Sequence, residues 1–84
     1  MPQVQSDLEI VLAKVRAEVL RAQAQHPPMN SPHEGHSVIR EELDELWDHV
    51  KADTGYSNQA LHEAIQVACA AVRYACVLCD FGDD

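Results

Sequence analysis

Leu61-His62-Glu63-Ala64-Ile65-Gln66-Val67-Ala68-Cys69-Ala70-Ala71-Val72-Arg73-Tyr74-Ala75-Cys76-Val77-Leu78 decides the fold, because its apolar residues are not confined to one side of any regular element. On a helix of 3.6 residues per turn, Leu61, Ala64, Ile65, Val67, Ala68, Cys69, Ala70, Ala71, Val72, Ala75, Cys76, Val77 and Leu78 circle the axis. A helix that is apolar all round is buried all round. A helix over 59–79 is therefore expected at the centre of an assembly, since two other helices cannot enclose it. Its alanines permit close helix approach, so this third helix is expected to form the middle of a homodimer or homotetramer.

Upstream, Asp53-Thr54-Gly55-Tyr56-Ser57-Asn58 reads as a turn, with Gly55 supplying backbone freedom and Ser57 or Asn58 a cap. Before it, Ile39, Leu43, Leu46, Trp47 and Val50 share one side of a second helix over 37–52. Glu41, Asp44, Asp48 and Lys51 point elsewhere. The Pro-, Asn-, Ser- and His-rich residues 26–35 read as an ordered loop. A first helix over 7–25 follows from Leu8, Val11, Leu12, Val15, Val19 and Leu20, recurring at threes and fours. Ser6 and Glu9 form a capping-box pattern at its start, and Pro27 and Pro28 mark its end. Phe81 to Asp84 reads as a fraying tail. The fold class is all-α, a three-helix subunit of one domain over 1–84.

Composition narrows the function. Fourteen acidic against six basic residues give a net charge of −8, which opposes nucleic acid as a partner, because phosphate binding needs clustered cations. Residues 64–79 contain Gln66 and Arg73 and fall short of the ~20 residues of a membrane span, so no membrane association is expected. The polar start carries no leader pattern, and three cysteines within 69–79 make a poor disulfide framework. A cytoplasmic protein with reduced thiols is the expectation.

Arg40-Glu41-Glu42-Leu43-Asp44-Glu45-Leu46-Trp47-Asp48 carries the chemistry. Glu42 and Glu45 are neighbours at i, i+3, and Glu41 and Glu45 at i, i+4, so three carboxylates share one helix flank. Two readings stand: a solvated acidic face with Arg40 and Lys51 as partners, or a site for a hard divalent cation, which takes carboxylate oxygens and can accept phosphate oxygens too.

Glu41-Glu42-x-x-Glu45-Leu46 resembles the first half of the motif of the all-α nucleoside triphosphate pyrophosphohydrolases, the MazG-like and dimeric dUTPase superfamily. Its second half, Glu-x-x-Asp, is answered by Glu63-Ala64-Ile65-Gln66. The wording of residues 33–47 and 63–74 is similar to a short MazG-like subgroup of phage and mobile-element type, and the likeness covers roughly residues 30 to 80. The resemblance implies an oligomeric helical bundle with sites at subunit contacts. It also implies Mg²⁺, with Mn²⁺ as an alternative, and cleavage of a nucleoside triphosphate to a monophosphate and pyrophosphate. Carried over residue by residue, it implies Glu42, Glu45 and Glu63 as metal ligands and Glu41 as a ligand or the base for water. Gln66 stands where the motif has Asp, and its amide brings no charge, which weakens a two-metal site more than a one-metal site. The rival function is a catalytically weak MazG-like nucleotide- or metal-binding or oligomeric interaction module.

Glu63, Gln66 and Arg73 are the polar members of the third helix, and burying them costs several kcal/mol unless they are paired. They form either an intersubunit hydrogen-bond network or a ligand site, with Arg73 a phosphate contact or the partner of Glu63. In the family picture His33 or Asn30 touches base or ribose. His33 and His36 near Glu34 also resemble a transition-metal pair, but no further ligand spacing supports one. His49 and His62 read as surface residues. Cys76 and Cys79 read as buried thiols, and Trp47 as packing at the core edge or an aromatic lip for a base.

Overall fold

The structure is a computed structural model and describes residues 6–82. Three α-helices follow one another, α1 (Asp7–Gln25), α2 (Pro32–Lys51) and α3 (Asn58–Leu78), with no strand among the described residues. Each begins on a serine whose hydroxyl accepts a first-turn amide proton: Ser6 from Glu9, Ser31 from Glu34, and Ser57 from Ala60. Such caps contribute ~1 kcal/mol each and fix where a helix starts.

The start of α2 differs most from the sequence expectation. Residues 32–36, expected in a loop, are its first turns, so His33 and His36 are helical. Ser31 caps, Pro32 occupies the first turn where its missing N–H costs nothing, and Glu34 sits near the positive end of the helix dipole. Gly35 is what disguised this helix, since glycine in a helix interior costs ~1 kcal/mol relative to alanine. Its reason is packing: a Cβ there would stand 2.4 and 2.8 Å from ring carbons of Tyr74 and 3.0 Å from Leu78. Gly35 lets α2 lie directly against α3.

α2 ends in a Schellman arrangement. The Thr54 N–H donates to the His49 carbonyl at 2.8 Å and the Asp53 N–H to that of Val50 at 3.1 Å. The left-handed residue here is Asp53, at φ 62°, not Gly55 as the turn composition suggested. Gly55 has no positive φ; the carbonyl geometry of the helix end places that demand two residues earlier.

α3 lies between the other two helices and packs on both, while α1 and α2 have no Cα pair within 8 Å. Val15, Val19 and Ala22 of α1 meet Ile65 and Cys69 of α3 in the buried core. The face that α2 turns to α3 is made of Gly35, Val38, Ile39, Glu42, Leu46 and His49, all buried or half-buried. Leu43, Trp47 and Val50, expected in the core stripe, stand on the neighbouring stripe and are 51%, 53% and 50% exposed. The approach at Gly35 rotates α2 so that its closest ridge runs through Glu42.

Cys69 is buried, but Cys76 and Cys79, expected to be buried, are exposed. α1 ends at Gln25 and turns into the loop, so its Val15–Ala22 stripe does not reach the last turns of α3. On α3 an outward arc of Leu61, Ala64, Ala71, Val72 and Ala75 is also exposed. At 21 residues α3 is long and apolar enough to cross a membrane by length and composition, longer than the stretch 64–79 suggested. The core helix of a water-soluble protein meets the same criterion. The chain exposes 6563 Å², against ~5,000 Å² for a typical folded chain of its 9.3 kDa.

Candidate functional site

Glu42 on α2 arrives on the ridge that meets α3, Glu45 follows one turn later at the edge of the seam, and Glu63 faces them from the second turn of α3. One carboxylate oxygen from each lies within 4.8 Å of the others. Glu42 and Glu63 are half-buried and Glu45 is exposed. Among the described residues, no ion pair reaches the group: Lys51 bonds Asp48 at 3.3 Å, and Arg21 pairs with Glu18. The solvated-face reading named Arg40 and Lys51 as local partners of the acidic stretch 40–48, and Lys51 does pair with Asp48 of that stretch, one turn beyond Glu45.

Burial and neighbouring carboxylates raise the proton affinity of two of the three, Glu42 and Glu63. Burial pushes the Glu42 carboxyl above its usual range, and the neighbouring Glu45, Glu63 and Glu41 charges add to it. Glu63 is raised in the same way, by burial first and by Glu45 next, with His62 and His49 offsetting in part. Oε2 of Glu63 is shut off from solvent and has no hydrogen-bond partner. Buried polar atoms normally find partners, so this oxygen is available to a proton or a cation. Three carboxylate oxygens at this spacing are a group that could hold a metal ion.

Two clefts open on the seam, and another lies beside them between α1, the loop after it and α3. One of about 450 Å³ opens between the end of α2 and the start of α3 beside Glu63, lined by His49, Asn58, Gln59 and His62. A second, of about 320 Å³, runs from Glu42 past Val38 and Glu34 to His26, Pro27, Met29 and Arg73. The third, of about 250 Å³, adjoins it and is lined by Gln23, His26, Pro28, Met29, Arg73 and Val77.

The residues singled out from the sequence divide accordingly. Glu42, Glu45 and Glu63 converge. Glu41 is exposed on the adjacent flank, where its charge is felt by Glu42. Gln66 stands against Glu18 of α1, whose carboxyl is held below its usual range first by Arg21 and then by the Gln66 amide. Arg73 is half-buried and lines two clefts. Asn30 and His33 are exposed and line none of the three clefts. Among the described residues, no metal-ligating group forms around His33 and His36.

Sequence reasoning missed Glu18, whose contact with Gln66 joins residues far apart in the chain. It also missed Met29, buried although it sits in a polar loop, and His49, which faces the seam because α2 is rotated. For Met29 the signal was present, since a lone large apolar residue between prolines and serines is a natural anchor for a loop.

No known protein family, curated protein or solved structure matches this chain.

Proposed function

We propose that the chain is the subunit of a homo-oligomeric, Mg²⁺-dependent nucleoside triphosphate pyrophosphohydrolase of MazG-like type, acting in the cytoplasm, with Mn²⁺ as an alternative ion. The observation that carries this reading is the meeting of Glu42, Glu45 and Glu63 across the α2–α3 seam, with one Glu63 oxygen unpartnered. Those three carboxylates would hold the cation. A bound divalent ion neutralises phosphate charge and acidifies water, which is what hydrolysis at a phosphorus atom needs. Glu41, exposed beside Glu42, would take the proton of an attacking water. Arg73, which lines the same cleft as Glu42, would supply the positive charge for a phosphate oxygen. The products are a nucleoside monophosphate and pyrophosphate.

Exposed area supports the oligomer. The excess over a typical monomer surface is ~1,500 Å², about twice what a standard interface removes from one partner. Large apolar side chains stand exposed on all three helices, among them Leu8, Leu12 and Leu20 on α1, Leu43, Trp47 and Val50 on α2, and Leu61 and Val72 on α3. A second copy of this chain, packed through α3 and its alanines, is the partner proposed for them.

One observation favours a second reading, a metal- or nucleotide-binding relative with little turnover. Gln66 replaces the fourth carboxylate and faces Glu18, so three charges rather than four line the seam. A single assay separates the two. Pure protein with Mg²⁺ is offered each canonical and damaged nucleoside triphosphate, and pyrophosphate is measured for the native chain, Glu42→Gln and Glu45→Gln. Release that both substitutions abolish establishes the enzyme; no release from any substrate favours the binding relative.

A further inference from the structure

We propose that the cleft enclosed by the end of α1, the loop after it and the last turns of α3 binds the ring and the adjoining phosphate of a nucleoside monophosphate, without a metal. It rests on the reading above only in taking the ligand to be a nucleotide. Pro28, Met29 and Val77 give the cleft apolar walls against which a flat ring can lie. Gln23 and His26 place hydrogen-bonding groups at its edge. Such a mix, mostly apolar with a few polar groups, is what small-molecule sites present.

Arg73 stands where this cleft joins the one that runs to Glu42. It is half-buried, and among the described residues no carboxylate comes within ion-pairing distance of it. In a chain with 14 acidic residues and 6 basic ones, an unpaired cation held between two clefts is a site for an anion. A guanidinium suits a phosphate, which it can meet with two parallel hydrogen bonds. Met29 is only 4% exposed and pins the loop, so that wall of the cleft is in place before any ligand arrives.

The test uses the full chain in EDTA, with AMP, CMP and inorganic phosphate as probes and the Met29 methyl and Arg73 side-chain NMR signals as readouts. Both monophosphates are expected to shift these signals and to bind about tenfold or more tightly than inorganic phosphate. Arg73→Gln should weaken them about tenfold, the scale of one charge-assisted contact. Val77→Trp and Gln23→Trp, which fill the cleft from opposite and exposed positions, should each abolish binding. Asp44→Asn, away from the cleft, should leave it unchanged.

No shift from either nucleotide at millimolar concentration, equal affinity for phosphate alone, or undiminished binding in both tryptophan variants overturns the proposal. The two readings fail separately. Cleft-dependent binding in EDTA without pyrophosphate release under any condition removes the catalytic reading and leaves this one. Pyrophosphate release by both tryptophan variants with an unchanged KM does the reverse.

Discussion

Replacing Glu63 by glutamine tests the charge balance of the seam directly. The substitution keeps the shape of the side chain and removes one of three carboxylates whose oxygens lie within 4.8 Å. At that separation one like-charge pair costs ~1 kcal/mol at the dielectric of water and ~3.5 kcal/mol at an effective dielectric near 20. Glu45 is exposed and its repulsion is screened. A gain of ~1–2 kcal/mol in metal-free buffer near pH 7.5 is therefore expected, or a rise in Tm of several degrees, taking ~4–8 °C per kcal/mol for a domain of this size.

The pH dependence has a definite sign. Folding raises the carboxyls of Glu42 and Glu63 above their ordinary 4.5, so in that range the folded chain binds more protons than the unfolded one. Their contribution is favourable at low pH and is lost as pH climbs from about 4.5 through the raised folded values. The native chain in EDTA should thus lose stability over this window, and Glu63→Gln should lose less. Asp44→Asn, an exposed substitution with the same charge change, separates the local effect from general relief of net charge.

Mg²⁺ should act on the native protein and hardly on the variant. At ten times its dissociation constant it raises native stability by ~1.4 kcal/mol, and it should leave Glu63→Gln nearly unmoved. Thermal scans at fixed protein concentration measure all of this. A lower Tm for Glu63→Gln than for the native chain in EDTA, together with no response of the native chain to Mg²⁺ or Mn²⁺, would refute the reasoning.

Other expectations follow from the packing. Gly35→Ala gains ~1 kcal/mol of helix propensity but forces its methyl against the Tyr74 ring, so urea unfolding should show a net loss of ~1–2 kcal/mol; unchanged or increased stability would mean that α2 and α3 do not approach so closely. Asp53→Gly relieves a left-handed residue at the end of α2 and should raise stability by ~1 kcal/mol in the same assay. Trp47, the only tryptophan, is covered in the proposed assembly and half-exposed in the separate chain, so its emission should move to longer wavelength on dilution. Val72→Glu, on the outward arc of α3, should lower the mass found by light scattering to that of one chain; an unchanged mass would place the subunit contact elsewhere, and a native chain that stays in solution only with detergent would point to a lipid surface as what covers α3.

How much of this was legible in the sequence depends on whether a feature is local. The three helices, the cap at Ser6, the cap at Ser57 or Asn58 and the spacing of Glu42 and Glu45 are set by residues a few positions apart and are read from them, whereas the Ser31 cap was not, because residues 26–35 read as a loop. The first turns of α2 were hidden because Gly35 breaks the local pattern for a distant reason, the ring of Tyr74 on another helix. The same contact explains why Leu43, Trp47 and Val50 face outward. A broad apolar stripe fixes a helix only to within its own width, and the closest approach of the backbones chooses which edge of the stripe is buried. Glycine sits at one edge, so the helices close there and carry Glu42 into the seam.

This choice of edge connects the fold to the site. Had α2 packed through the centre of its leucine stripe, the chain alone would have covered more apolar surface, and Glu42 would have stood on the flank in water. Packing through Gly35, Glu42 and His49 gives up that coverage and brings Glu42 to Glu63. The carboxylates gain proximity at the cost of repulsion and partial burial, while the displaced leucine and tryptophan stripe is left for another surface to cover. A buried glycine and an exposed tryptophan on one helix are therefore two consequences of a single rotation. If Gly35→Ala turned α2 back toward its apolar centre, Trp47 would become shielded and the Mg²⁺ response would fall in the same protein. Measured together, the two readouts distinguish a rotated helix from one that has merely loosened, in which both stripes would become more exposed.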